Sequence, residues 1–252
     1  VHDAHQGVVW LGKFIRQRRE SRGIRLRELA DRTTKSVSAL EKVENGTRSP
    51  GLEYLTELFD ALGIAFNYRR FLVDGLFPGL LGRLYGPSRV PLSQQEKAFL
   101  DVIGAPAAYL YLPSGDVAAT NQHWHRSILR LTGGANLLEW LFTDPIAKWV
   151  FPDWEQIAHN FAYGLKWLGP GALSPDRIEE LRSKCSVNPS FDKMWNTEVD
   201  LNQPVTVLRV RDMAHGDIKS FDITIMEPSY PGRRKWMVYT LVPVTNDTAP
   251  VA

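Results

Sequence analysis

Residues 26–46 read Leu26-Arg-Glu-Leu-Ala-Asp-Arg-Thr-Thr-Lys-Ser-Val-Ser-Ala-Leu-Glu-Lys-Val-Glu-Asn-Gly46, two short amphipathic segments separated by a polar turn. The first starts near Leu26 and carries Leu29 and Ala30 as its core pair. A side chain as small as Ala30 lets a following helix cross closely. Thr33, Thr34, Lys35 and Ser36 form the turn, and the Ser36 hydroxyl is placed to cap the next helix. That helix spans Val37 to Glu44. Leu40 and Val43, three residues apart, face inward, which leaves Val37, Ser38, Glu41 and Lys42 on its other faces. Asn45-Gly46 stops it.

Toward the N-terminus, Trp10, Leu11, Phe14 and Ile15 keep helical spacing while Arg16, Arg18, Arg19 and Glu20 fill much of the remaining surface, until Gly23 ends the helix. On the other side, Leu52, Leu55, Leu58, Phe59 and Leu62 form a stripe wide enough to cover the other helices, and Gly63 closes it. Charge follows the same division. The 252 residues carry 30 Lys and Arg against 28 Asp and Glu, but residues 1–70 hold 13 basic against 9 acidic side chains and the remainder 17 against 19. Between Lys13 and Lys35 nine basic residues face only Glu20, Glu28 and Asp31. This is a modest electrostatic footprint for nucleic acid.

Leu29-Ala30, the turn, Ser36, Leu40, Val43, Glu44 and Gly46 resemble the helix-turn-helix of lambda-repressor/Cro-type (XRE) regulators, over about residues 10–64. The resemblance implies that the second helix of the pair enters the major groove of a double-stranded DNA operator. Ser36, Val37, Ser38 and Lys42 then become base readers, and Lys35, Thr47 and Arg48 lie beside phosphates. Such modules commonly read two half-sites about one DNA turn apart, so a homodimer is expected. Two departures stand out: Thr34 occupies a position where the family usually has glycine, with Lys35 where it has an apolar residue, and Arg25 replaces a Ser or Thr cap before the first helix of the pair. A helical bundle that imitates the motif is the alternative; order, spacing and basic excess together favour DNA.

Ile64 to Pro91 mixes aromatics, glycines and prolines without a clean period and reads as a connector with one or two short helices. Leu72, Leu76, Phe77, Leu80, Leu81 and Leu84 call for packing between domains or against a second copy. Beyond it come a helix near Ser93–Ile103, a hairpin of Ala107–Leu112 and Val117–Thr120 around Pro113-Ser-Gly-Asp116, and a helix capped by Asn121. Helices near 137–142, 145–151, 153–167, 174–184 and 189–196 follow, with Pro145, Pro175 and Pro189 suited to first helical positions. Strands at 205–210, 221–226 and 236–242, separated by turns with Gly216 and Pro231-Gly232, complete an α+β order. The expected architecture is thus two-domain: an all-α domain of four to five helices over 1–70, a linker over 71–92, an α+β domain with an antiparallel sheet over 93–244, and a tail over 245–252.

Within the second domain, Asn136-Leu-Leu-Glu-Trp-Leu-Phe-Thr-Asp-Pro145, Phe151-Pro-Asp-Trp154, Asn188-Pro-Ser-Phe-Asp-Lys-Met-Trp195 and Val238-Tyr-Thr240 resemble the ligand-binding domain of MmyB-like regulators across about Gln95–Pro243. That resemblance implies a PAS-like fold, with helices over one face of the sheet, and a fatty-acid-like effector. An acyl chain needs apolar walls, since each buried methylene contributes about 0.8 kcal/mol. Tyr109, Tyr111, Trp124, Trp140, Phe142, Phe161, Phe221, Trp236 and Tyr239 are candidate walls, although ordinary core packing accounts for any one of them. His125, Arg126, Arg209 or Tyr239 could meet a carboxylate. Trp154 and Trp195 are assigned to bracing helix ends.

Other chemistries find little support. Cys185 stands alone, without an argued base, and points to a reducing cytosol in a bacterial cell. His123 and His125, two apart on a helix, face different ways and do not share a metal. Gly133-Gly134 and Gly169-Pro-Gly171 lack the context of phosphate loops, and no nucleophile elbow is present. The apolar stretch Phe71–Tyr85 is interrupted by glycines, Pro78, Asp74 and Arg83 and falls short of a membrane span. The expectation is a non-enzymatic DNA-binding regulator without cofactor, metal or membrane insertion, whose second domain senses a hydrophobic small molecule. The alternative makes that domain a ligand-free dimerisation or protein-interaction module.

Overall fold

The computed structural model describes residues 2–76, 91–112, 114–171, 173–199, 205–213, 215–228 and 236–244. The Pro231-Gly232 turn, the tail after 244 and Phe77, Leu80, Leu81 and Leu84 lie outside them. The chain divides into two compact units: residues 1–86, 162–180 and 193–204 form the first, and 87–161, 181–192 and 205–252 the second.

Unit one contains α1 (His2–Ser21), α2 (Leu26–Arg32), α3 (Val37–Glu44), α4 (Leu52–Ala61) and α5 (Phe66–Leu76). Its core joins Phe14, Ile15, Leu29, Leu40, Val43, Leu58 and Leu62 to Leu72, Leu76, Tyr163, Trp167 and Val199. Two features depart from the sequence reading. Residues 66–76, in the stretch read as a connector with one or two short helices, form an 11-residue helix of the helical unit, and Leu72 and Leu76 are buried in that unit's own core rather than between domains or copies. The glycine that disguised this helix is a packing notch: a Cβ on Gly75 would come within 2.3 Å of the Trp10 ring. Second, the unit enlists 162–180 and 193–204 from the stretch assigned by sequence to the other domain, so compactness does not follow the partition at 70 and 93.

Unit two opens with α6 (Gln94–Asp101), begun by a capping box in which the Ser93 hydroxyl accepts from the Glu96 amide and the Glu96 carboxylate accepts from the Ser93 amide. Then come β1 (Ala107–Tyr111), β2 (Asp116–Thr120), α7 (Gln122–Ser127), α8 (Leu137–Thr143) and α9 (Ile146–Val150). Next are α10 (Trp154–Leu168), α11 (Pro175–Cys185) and α12 (Phe191–Asn196); unit boundaries fall within all three. The chain closes with β3 (Val207–Arg211), β4 (Ile218–Met226) and β5 (Trp236–Pro243). The five strands form one sheet in the order β2-β1-β5-β4-β3, with every pairing antiparallel. Every residue of the inner strand β1 is buried, so its alternate side chains are covered on both faces. On one face, Leu100 of α6 packs on Ala107, Tyr109 and Val238. Pro175 opens α11 as expected, whereas Pro189 lies two residues outside α12.

Candidate functional site

The Ser36 hydroxyl accepts from the Ala39 amide at 3.2 Å and starts α3 where the sequence placed it. Leu40 and Val43 are 0 % and 1 % exposed, while Val37, Ser38, Glu41 and Lys42 on the same helix are exposed. Lys35, Ser36, Thr47 and Arg48 are exposed beside its two ends. The Thr47 and Arg48 amides donate to the Lys42 carbonyl at 2.9 and 3.1 Å, and the Thr47 hydroxyl does so at 3.1 Å, fixing this loop against the end of α3. The seven residues read from sequence as DNA contacts are therefore all exposed on and around one short rod.

The turn before α3 keeps a left-handed backbone without glycine: Thr34 has φ 50°. For a β-branched residue this conformation is strained. Lys35, at the other departure, lies 5.7 Å from the centre of the Tyr54 ring, so its stem covers apolar surface and its charge remains exposed. Arg25 precedes α2 without a side-chain cap.

What the sequence did not reveal is how α3 is held from behind. Glu44, 4 % exposed, accepts from Arg19 Nε at 2.7 Å and Nη2 at 3.0 Å, and from Arg16 Nε at 3.4 Å. The Glu44 hydrogen bond holds the Arg19 guanidinium above its ordinary pKa, against desolvation. Gly12 lets α1 approach: a Cβ there would lie 2.4 Å from the Val43 carbonyl oxygen. Further along α1, Arg18 is 2 % exposed, and its Nη1 donates to Glu198 Oε1 at 2.7 Å and the Val199 carbonyl at 3.0 Å. The Tyr163 hydroxyl donates to the same carboxylate oxygen at 2.8 Å, and burial, then Glu198, push its pKa up. Phe14 meets Trp167 edge to face at 5.5 Å.

These pairings revise the electrostatic footprint. Arg16, Arg18, Arg19 and Arg22 of the basic stretch bind Glu44, Asn45, Glu198 or the Leu62 carbonyl, and Arg32 pairs with Glu28. Lys13, Arg25, Arg27 and Lys35 are exposed and, with Lys42 and Arg48, supply the outward charge.

In unit two four of the candidate ligand walls pack on other aromatic rings, two of them on each other. Tyr111 meets Trp236 at 5.7 Å, Trp140 meets Phe151 at 5.6 Å, and Phe142 meets Trp154 and Phe191 at 5.9 and 4.9 Å, all edge to face. Trp124 is buried with its indole N–H donating to the Leu131 carbonyl. Tyr109 belongs to the cluster under α6, and burial raises its pKa. Phe161 and Tyr239 are half-buried, and Phe221 is 6 % exposed. Of the proposed head-group partners, Arg209 is already bound to Asp153, His125 meets the Thr120 hydroxyl at 3.1 Å, and Arg126 is exposed. Trp154, assigned to bracing, donates its indole N–H to the Leu141 carbonyl at 2.7 Å. Cys185 is fully buried, and burial pushes its thiol up to about 12, which makes it a poor nucleophile. Among the described residues no group of three His, Cys, Asp or Glu side chains could hold a metal, and no helix is long and apolar enough to cross a membrane.

Residues 92–252 match the family described as the MmyB-like transcription regulator ligand binding domain, and residues 15–68 match the helix-turn-helix family. No curated protein matches the chain.

Proposed function

Because the chain belongs to the family of MmyB-like transcription regulators, with a helix-turn-helix ahead of the ligand-binding domain, we propose that it binds a specific DNA operator as a homodimer and that a hydrophobic, fatty-acid-like effector modulates that binding. The observation that carries the DNA half is α3: Ser38 and Lys42 stand exposed while Leu40 and Val43 anchor the helix from behind. Ser36, Val37, Ser38 and Lys42 are the proposed base readers, with Lys35, Thr47 and Arg48 on phosphates.

For the effector half, the antiparallel sheet with its inner strand β1 covered on both faces supports the PAS-like reading. Tyr163, Trp167, Glu198 and Val199 fall in the stretch matched to the ligand-binding family, yet they form part of the helical unit's own core or bind Arg18 of α1. An effector that alters this stretch thereby acts on the helix that holds α3. Coupling still requires that it bind the two DNA-affinity states unequally.

The test is operator affinity of lipid-stripped and dodecanoate-saturated protein at one salt concentration. A changed affinity supports the effector; equal affinities remove it. The edge-to-face packing of the aromatic candidates favours a second reading, in which the interior of unit two is filled and the domain serves dimerisation or protein contact. Mass spectrometry of organic extracts separates the two, since a filled core releases no stoichiometric small molecule.

A further inference from the structure

Within unit one, α1 makes contacts on two opposed faces. Gly12, Arg16 and Arg19 follow helical spacing along one stripe, and this stripe meets α3. A Cβ on Gly12 would lie 2.8 Å from the Glu44 carbonyl oxygen as well as against that of Val43, so the two backbones touch there, and Arg16 and Arg19 close the contact on the Glu44 carboxylate. Phe14 and Arg18 stand about 200° further round the helix than Gly12 and Arg16. This second stripe meets other partners: Phe14 packs on Trp167 of α10, and Arg18 binds Glu198 and the Val199 carbonyl just after α12.

The two segments that grip this second face are joined to each other, since Lys166 Nζ donates to the Trp195 carbonyl at 3.1 Å. Glu198 holds its partners unevenly. Its Oε1 accepts from both Arg18 and Tyr163, whereas Oε2 is buried and has no hydrogen-bond partner among the described residues. Part of the cost of desolvating the carboxylate is therefore unmet. Arg18 is 2 % exposed and also bound to the Val199 carbonyl, while 20 % of the Glu198 side chain reaches solvent, so Glu198 is the member of the pair that can move. Both segments continue into elements of the other unit: α10 begins there at Trp154, and the chain after Val199 reaches β3 at Val207.

We propose that α1 is a rod that sets α3 and that Glu198 is the positioning residue on its other face. Held on Arg18, Glu198 keeps α1 where Arg16 and Arg19 hold Glu44; released by a movement of α10 or of the chain leading to β3, it loosens α3 and lowers specific DNA binding. The proposal rests on the reading of α3 as the DNA-reading helix and names the side chain through which that helix is regulated. It requires no particular effector.

Hydrogen exchange of the full chain without DNA reads the rod directly. Glu198→Gln keeps the shape and removes the charge; it raises exchange at the Leu40, Val43 and Glu44 amides by about tenfold and leaves those of Leu58 and Phe59 in α4 as in wild type. Glu198→Asp, which keeps the charge but shortens the reach, moves the same amides by a smaller factor and serves if Glu198→Gln fails to fold. On a duplex selected from random sequence by the wild-type chain, Glu198→Gln weakens binding by about tenfold. A scrambled duplex is bound within about twofold of wild type with the same salt slope, because Lys35 and Arg48 keep their charges. Wild-type exchange across α3 in both variants overturns the proposal, and so does a rise of equal size in α3 and α4, which makes Glu198 a part of the core and nothing more. Loosened α3 with undiminished binding of the selected duplex overturns it as well. If α3 loosens selectively but the wild-type chain prefers no duplex, the rod stands and DNA reading falls; if a duplex is selected and neither variant alters α3, DNA reading stands and the rod falls.

Discussion

In the helical unit two buried charged side chains meet partners far along the chain, Glu44 with Arg19 and Arg18 with Glu198. In the sheet unit Asn121 and Asn136 do comparable work as neutral amides. Asn136 donates to the Ser114 carbonyl and the Asp116 carboxylate, and accepts from the Glu139 amide to start α8. The physical consequences differ. Removing one member of a buried ion pair strands an uncompensated charge, whereas removing an amide leaves neutral groups unsatisfied, which costs less per group. The helix proposed to read DNA is thus located by charge, and the starts of α7 and α8 are fixed by neutral hydrogen bonds.

The largest expected effect tests this contrast directly. Glu44→Ala should destabilise the chain by about 3–5 kcal/mol, because Arg19 and Arg16 lose their acceptor behind α3. Asn121→Ala should cost about 2–3 kcal/mol, since part of its hydrogen bonding can be taken over by water in the space left. Urea unfolding midpoints at pH 7 measure both. A loss at Asn121 exceeding that at Glu44 would break the comparison, and Glu44→Gln sharpens it by keeping the shape while deleting the charge.

Next in size are the exposed residues of α3. Ser38→Ala and Lys42→Ala should each cost about 1–3 kcal/mol on the preferred operator and less on other sequences, as expected of base contacts. Arg48→Ala should weaken every sequence alike and lower the salt slope by about 1. Competition binding across a panel of sites at several salt concentrations separates these outcomes. Uniform losses for all three variants would reduce α3 to a phosphate-binding element and remove specific readout.

Smaller again is Thr34→Gly. An L-residue in the left-handed region costs about 1–2 kcal/mol, partly offset by the greater freedom glycine has when unfolded, so a gain of about 1 kcal/mol is expected. Thr34 is exposed, so little packing is lost with its side chain. An unchanged or lowered midpoint would show that the turn before α3 relaxes to suit threonine.

The same contrast explains what could be read from sequence. Ser36, Leu40, Val43 and Asn121 act on groups within a few residues, and the local pattern sufficed to place α3 and α7. The partner of Glu44 lies 25 residues away and that of Arg18 180 away, so both arginines read as outward charge although they are inward ties. The fifth helix was read only as one of one or two short helices in a connector, because Gly75 interrupts its apolar run while serving as a notch for Trp10. Aromatic composition singled out candidate walls, four of which pack edge to face on other rings.

The least effect belongs to a pair that is charged but not buried. Arg209 binds Asp153 in unit two with side-chain exposures of 49 % and 31 %. Its hydrogen bond lowers the Asp153 pKa despite some desolvation. A carboxylate lowered in the folded state adds stability above its unfolded pKa and loses it as pH falls through the folded value. Water and salt screen this pair in a way they cannot screen Arg19 and Glu44. Asp153→Asn should therefore shift the urea midpoint at pH 7 less than Glu44→Gln does. Its difference from wild type should shrink as pH falls below about 4 and as salt rises toward 1 M. If the Asp153 difference proves as large as that at Glu44, or insensitive to both acid and salt, then burial is not what separates the two pairs. The contrast between units would then need another cause.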